Sequence, residues 1–132
     1  MLFRSGARRL VAEGLLAGRE AILGDLERLL GGGDPIATAE RWREAGPADT
    51  LYWLQSLVCD LIRLKNGRLA HSLTHMDQGQ AMQALARGLD LIRLFHLLDL
   101  LIEARRAVLG QLNLNEQLML ESIAIEWQRA RA

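Results

Sequence analysis

Apolar residues recur at intervals of three and four along most of this chain, which is the spacing of one face of an α-helix. The first such segment lies within residues 10–30 and predicts one long helix or two short ones. The glycines at 31–33 end it, while Asp34 is suited to cap the next helix and Pro35 to occupy its first turn. No stretch alternates with a period of two over a useful length. The pattern therefore predicts an all-α, compact bundle of about five or six helices.

Two helices are expected in the middle of the chain. A short one covers residues 36–42, and a longer one covers residues 51–65 and ends at Gly67, where a left-handed backbone is needed. Thr74, with Asp77 three residues later, resembles a capping box for the helix that follows.

The last two predicted helices carry more apolar surface than one buried face needs. Within 89–109 the polar residues form one narrow stripe, so this helix is expected near the centre of the bundle. Asn115 is suited to cap the final helix, with Leu114 and Met119 as a hydrophobic staple. That helix then offers Leu118, Met119, Leu120, Ile123, Ala124, Ile125 and Trp127. A helix this apolar is either enclosed by its own domain or shared with a neighbour.

Charge and composition narrow the class of protein. Sixteen basic residues balance sixteen acidic ones, so the chain has no net field that would gather nucleic acid. The single Cys59 excludes an internal disulfide and fits a reducing cytosol. The longest apolar segment is interrupted by Arg93, His96 and Asp99, so no membrane span is expected. Residues 1–12 contain arginines and no acid, which is compatible with an organellar transit peptide, although the start of a fragment explains them more simply.

Motifs that could carry catalysis or metal binding are weak. The GGGD run at 31–34 lacks the lysine and hydroxyl of a phosphate-binding loop, so it is interpreted as a turn. His71, His75 and Asp77 could approach one metal ion, but no continuous helix is expected there and the two histidines are interpreted as solvated loop residues. His96 lies on the polar stripe of its helix, where surface pairing accounts for it.

The remaining reactive groups also favour a structural interpretation. Cys59 lies in an apolar helix and is expected to be a small buried residue rather than a nucleophile. Acidic residues are spread over the predicted helices, but no Glu-x-x-His sequence accompanies them, which argues against a di-iron site. These carboxylates are Glu40, Glu44, Glu103 and Glu121. The sequence therefore predicts no catalytic residue, no cofactor, no metal site and no small-molecule ligand.

Two segments, LYWLQSLVCDLIRLKNG at 51–67 and LNLNEQLMLESIAIEW at 112–127, together resemble the C-terminal domain of the δ′ subunit of the bacterial DNA polymerase III clamp loader. In that family one helix has the pattern W-L-x-x-L-x-x-D-L-x-R-x-x-x-G, and a closing helix has the form L-N-x-x-L-x-L-E. The first pattern is matched by Trp53, Leu54, Leu57, Asp60, Leu61, Arg63 and Gly67, and the second by Asn113, Leu114, Asn115, Leu118, Leu120 and Glu121. The similarity extends from residue 13 to the end of the chain.

The resemblance implies a non-catalytic helical collar domain over residues 13–132, with residues 1–12 as the stub of a preceding lid domain or the start of a fragment. In clamp loaders the C-terminal domains of the subunits pack side by side into a ring, which supports loading of the sliding clamp. Partners of the δ and γ/τ type, no direct contact with nucleic acid and a bacterial cytoplasmic location are therefore expected. DNA binding would belong to the complex.

Surplus apolar surface is the basis for predicting where such a contact lies. The candidates are Leu120, Ile123 and Trp127 on the final helix, and Phe95 and Leu98 on the helix before it. Trp42, Trp53 and Trp127 are most simply core residues, although a tryptophan can also anchor an interface.

Two other functions are compatible with the sequence. One is a stand-alone helical adaptor or dimeric regulatory protein that has no part in replication. The other is a helical nucleic-acid binder that uses Arg63, Lys65, Arg68 and Arg87, although four basic residues with acids nearby form less than the basic stripe typical of such proteins.

Overall fold

A computed structural model describes residues 18–67, 73–111 and 115–132. In these ranges the chain forms six α-helices and no strand, which confirms the predicted all-α bundle. Helix α1 is described over 18–30. The others are α2 (Pro35–Ala45), α3 (Pro47–Lys65), α4 (Gly79–Arg87), α5 (Leu91–Leu109) and α6 (Glu116–Arg129), and a 3-10 turn, Met76–Gln78, precedes α4.

Helix α3 is the centre of the bundle. It packs most extensively against α5 and also contacts α2 and α4, while α6 packs against α2 and α5. Eight of its side chains are buried, against four in α5. Helix α5 was expected near the centre, and it does pack against both α3 and α6, but it buries fewer side chains than α3. The narrow polar stripe of α5 therefore does not show how much of the helix is buried, because much of its apolar surface remains accessible to solvent.

The glycines at 31–33 form the turn that the sequence predicted. The backbone N–H of Gly33 donates to the carbonyl of Arg28 at 2.9 Å, and Gly32 donates to Leu29 at 3.1 Å. Gly32 has a φ of +97°, so these bonds form the left-handed motif that ends many helices. A Cβ on Gly33 would lie 2.9 Å from the Arg28 carbonyl oxygen, so this position needs glycine.

Helix caps follow the sequence in part. The side chains of Asp34 and Asn115 accept hydrogen bonds from the backbone N–H groups of Ile36 at 2.9 Å and Leu118 at 3.0 Å, as predicted. The predicted capping box at Thr74 is wrong, because α4 begins after Gln78 with no side-chain cap. The predicted staple involves Leu114, which lies outside the described residues, as do His71, Arg68 and residues 1–12.

Helix α6 closes the bundle by reaching back to the end of α1. The indole N–H of Trp127 donates to the carbonyl of Leu26 at 2.8 Å. The amide of Gln128 donates to the carbonyls of Leu29 at 3.0 Å and Gly33 at 2.8 Å. These hydrogen bonds tie α6 to the last turns of α1 and to the turn that follows it, and the Leu29 carbonyl accepts from Gly32 as well.

Candidate subunit interface

One flank of α5 carries apolar side chains that its own domain only partly covers. Phe95 is 45% exposed and Leu109 is 64% exposed, while Leu98 and Ile102 are half-buried. The spacing from 95 to 98, 102, 105 and 109 alternates between three and four, which is the spacing of a seam between two packed helices. The Arg105 side chain occupies the remaining position. This outer seam is distinct from the residues that α5 buries in the core, which are Leu94, Leu97, Leu101 and Ala104.

Arg105 connects the outer seam to α3. Its Nη1 donates to Oε1 of Gln55 at 3.3 Å, and its Cζ lies 5.6 Å from the ring centroid of Tyr52. Tyr52 is 49% exposed and meets the Trp53 ring edge to face, with centroids 5.2 Å apart. A shallow groove of about 170 Å³ opens beside this pair. It is lined by Tyr52, Gln55, Ser56, Cys59, Arg63, Thr74 and Arg105.

The candidates predicted on α6 occupy a different environment. Leu120 and Trp127 are 0% exposed and Ile123 is 1% exposed, so all three belong to the core of this domain. Their side chains already have partners within the chain, which leaves no accessible surface for a neighbour. On α6 the exposed apolar residues are Leu118 and Ile125. Phe95 and Leu98 therefore remain interface candidates, whereas the three α6 residues are core residues of this domain.

Sequence reasoning missed the residues that extend the α5 surface. Ile92 is 66% exposed in the first turn of α5, and Leu109 is exposed in its last turn. The alternation of three and four from Phe95 to Leu109 was a signal for the outer seam. Nothing in the local sequence linked Tyr52 to Arg105, because that contact forms only when α3 and α5 pack together.

A second polar cluster surrounds Asp60, the acidic residue of the motif on α3. The Asp60 side chain is 0% exposed. Its carboxylate accepts from Nη1 of Arg63 at 2.6 Å and from the backbone N–H groups of Thr74 at 3.1 Å and His75 at 2.8 Å. A buried carboxylate needs such donors, so this cluster ties the turn before α4 to α3. The motif therefore includes a polar contact that fixes the fold.

His75 is 3% exposed, so the interpretation of it as a solvated loop residue was wrong. Its Nε2 lies 2.7 Å from Oγ of Ser56, and its Nδ1 lies 3.5 Å from Nη1 of Arg19. Burial lowers the pKa of His75 below its ordinary value, which keeps the ring neutral at pH 7. Because a guanidinium can only donate, Nδ1 is the acceptor and the ring proton lies on Nε2, facing Ser56. A protonated Nε2 cannot act as a base toward that hydroxyl.

Arg19 joins α1 to the same cluster. Its side chain is buried, and it donates to both carboxylate oxygens of Asp77, at 3.1 and 2.6 Å. This hydrogen-bonded pair lowers the pKa of the Asp77 carboxyl. Asp77 therefore acts as the partner of a buried guanidinium and does not join a metal site. The described residues contain no group of three or more histidine, cysteine, aspartate or glutamate side chains that could hold a metal ion.

Two further predictions about reactivity and nucleic-acid binding can be compared with the structure. Cys59 is half-buried, rather than fully buried as expected, and burial raises the pKa of its thiol. A raised pKa disfavours the nucleophilic thiolate. Of the proposed basic patch, Arg63 is paired with Asp60, while Lys65 and Arg87 are exposed beside a shallow depression between α3 and α4.

Across the described residues, no helix is both long enough and apolar enough to cross a membrane.

The comparisons with known proteins bear on the family of this chain. No curated protein and no solved structure matches the chain. The family model described as the DNA polymerase III delta subunit, C terminal, matches residues 13–129. That description names delta, whereas the motif resemblance had indicated δ′. The chain therefore belongs to the family of C-terminal domains of the DNA polymerase III delta subunit, which are clamp-loader domains.

Proposed function

We propose that this chain is a non-catalytic oligomerisation module that packs with the C-terminal domains of other clamp-loader subunits into a collar, its neighbours being of the γ/τ type and of whichever of the δ and δ′ types it is not itself. The observation that carries the proposal is the outer seam of α5. It presents Phe95, Leu98, Ile102 and Leu109 at helix-packing spacing, and the rest of the domain leaves it partly uncovered. In a bacterial cell such a complex works in the cytoplasm, and contact with DNA belongs to other parts of it.

The chemistry of the domain supports a structural role. Two groups that could act as base or nucleophile, His75 and Cys59, are a buried neutral ring and a thiol with a raised pKa. A stable subunit contact buries about 800 Å² on each partner. The α5 seam spans most of a 19-residue helix and continues onto Tyr52 of α3, so it offers a surface long enough for such a contact.

The test is co-elution of this chain with the other purified clamp-loader subunits on size exclusion. We expect Phe95→Asp to abolish co-elution, because a carboxylate within an apolar seam cannot be buried without a partner. Ile36→Asp is the matched control, since Ile36 is a 56% exposed residue on α2 and receives the same charge. Circular dichroism should show both variants folded. Unchanged co-elution of folded Phe95→Asp would contradict the proposed interface.

The subunit assignment needs its own experiment. The family description supports δ, and the two motifs at 51–67 and 112–127 support δ′. The comparison uses two reconstituted clamp loaders, one that lacks δ and one that lacks δ′. The chain should enter the complex whose missing subunit it replaces. Entry into neither complex, together with self-association, would favour the stand-alone adaptor or dimeric regulator instead.

A further inference from the structure

We propose that Tyr52 and Arg105 form the anchor of the subunit contact and that this anchor receives a carboxylate side chain of the partner domain. The inference rests on the proposed function and specifies the chemistry of the surface that must face the α5 seam. It predicts an acidic residue on the partner, placed beside an apolar side chain that packs on Ile102 or Leu98.

The charge balance of Arg105 is the first observation. In the described residues, Arg19 and Arg105 are the two arginines that are not exposed. Arg19 donates twice to the carboxylate of Asp77. By contrast, Arg105 takes part in none of the ion pairs among these residues and donates to the neutral amide of Gln55. A half-buried guanidinium therefore keeps its full charge and most of its five N–H donors for another acceptor.

The groove beside Arg105 is the second observation. It has room for a small group, about 170 Å³, and its lining includes the polar residues Ser56 and Thr74. The other guanidinium in the groove, Arg63, is already neutralised by Asp60 at 2.6 Å. One positive charge is thus left without a partner, and a single carboxylate matches it in both charge and size.

The position of the pair in the surface is the third observation. Arg105 occupies a place in the same three-and-four series as Phe95, Leu98, Ile102 and Leu109, so a helix that packs on this seam must meet it. The guanidinium carbon of Arg105 lies over the Tyr52 ring, 5.6 Å from its centroid, and Tyr52 is itself 49% exposed. Tyrosine and arginine are, with tryptophan, the residue types enriched among those that dominate binding energy at protein interfaces.

A protein partner fits this surface better than nucleic acid does. A phosphate backbone needs several cations along its path, and here one uncompensated guanidinium stands beside apolar side chains. Exposed carboxylates at Asp99 and Glu103 lie on the same helix, and the chain as a whole has no net charge. A helical domain with one acidic residue next to an apolar one complements the surface in both respects.

The experiment measures the affinity of this chain for the remaining clamp-loader subunits, purified as a complex, at about 50 mM and about 500 mM salt. The variants are Arg105→Glu, Arg105→Lys and Tyr52→Ala. Arg93→Glu is the matched control, because it makes the same charge change at an exposed site on the same helix, about 120° away around its axis. We expect Arg105→Glu to weaken binding at least about tenfold and Arg93→Glu to leave it unchanged.

The other measurements distinguish the anchor from a general loss of charge or fold. Arg105→Lys should weaken binding less than Arg105→Glu, because lysine keeps the charge but lacks the planar fork that matches a carboxylate. Wild-type affinity should fall at the higher salt concentration. Should an Arg105 variant unfold, this salt dependence and the Tyr52→Ala variant still test the charged contact.

Several results would overturn the inference. If folded Arg105→Glu binds as tightly as wild type, Tyr52 and Arg105 do not form the anchor. If Phe95→Asp loses binding in the same experiment, the proposed function still holds. Binding of primed-template DNA that depends on Arg105 would assign the groove to phosphate instead. Arg105-dependent self-association would assign it to a second copy. A wild-type chain that does not bind the complex would contradict the proposed function itself.

Discussion

Helices α5 and α6 begin in the same way but end in different surroundings. The side chains of Asp90 and Asn115 cap them by accepting from the backbone N–H groups of Arg93 and Leu118, each at 3.0 Å. Both helices are rich in apolar residues. Helix α6 buries Leu120, Ile123, Ala124 and Trp127 and satisfies carbonyls of α1 with its side chains, whereas α5 buries one row and leaves a second row partly open.

The number of apolar residues does not explain this difference, but their arrangement does. Helix α5 carries two rows at three-and-four spacing, one at Leu94 and Leu97 and one at Phe95 and Leu98, each continuing toward the end of the helix. On α6 the exposed apolar residues are Leu118 and Ile125, seven positions apart, with the exposed Ser122 between them. A helix with two such rows has surface for two partners, and a helix with one row has surface for one.

Truncation of Trp127 should have the largest effect on stability, because α6 is anchored inside the bundle. Trp127→Ala is expected to lower the free energy of unfolding by about 3–5 kcal/mol, through the cavity it leaves and the lost hydrogen bond to the Leu26 carbonyl. Urea titration followed by circular dichroism measures the change. The control Trp127→Phe keeps most of the ring and should cost less. A loss of less than about 1 kcal/mol for Trp127→Ala would mean that α6 is not enclosed as described.

A smaller effect is expected at Gln128, whose amide donates to the carbonyl of Leu29 at the end of α1 and to that of Gly33 in the turn that follows. Gln128→Ala should lower the free energy of unfolding by about 1–2 kcal/mol, because two hydrogen bonds between α6 and the end of the first helix region are lost, although the Leu29 carbonyl keeps its bond from Gly32. Gln128→Glu has the same shape but no N–H, so it should cost at least as much. Arg129→Ala, at the exposed neighbouring position, provides the control and should change little. If Gln128→Ala behaved like Arg129→Ala in urea, water would replace these bonds without cost.

Local signals account for the parts of the fold that the sequence predicted. The turn at 31–33, the caps at Asp34 and Asn115 and the left-handed Gly67, with a φ of +84°, depend on neighbours a few positions away. Helix periodicity likewise depends on local spacing. These features could be predicted because their partners lie within one or two turns of the same chain segment.

Long-range contacts account for the parts that it did not. Arg19 meets His75 and Asp77 across 56 and 58 positions of the chain, so nothing near His75 showed that it would be buried. The pairing of Asp77 with Arg19 also explains why the apparent capping box did not form. The candidate interface was predicted in part for the same reason, since periodicity gave Phe95 and Leu98 but could not show that α1 would cover Trp127.

The smallest change in the free energy of unfolding is expected for a substitution at Leu109. This substitution tests whether the surface of α5 is available to a partner or contributes to the stability of the domain. Leu109→Ala should alter the free energy of unfolding by no more than about 0.5 kcal/mol, because the side chain is 64% exposed. The same substitution at Leu120, which is 0% exposed, should cost about 2–5 kcal/mol. Urea unfolding of the two variants side by side compares an identical chemical change on α5 and α6. Equal losses would show that the end of α5 supports the fold as α6 does, and the outer seam would then be too short to form the proposed contact.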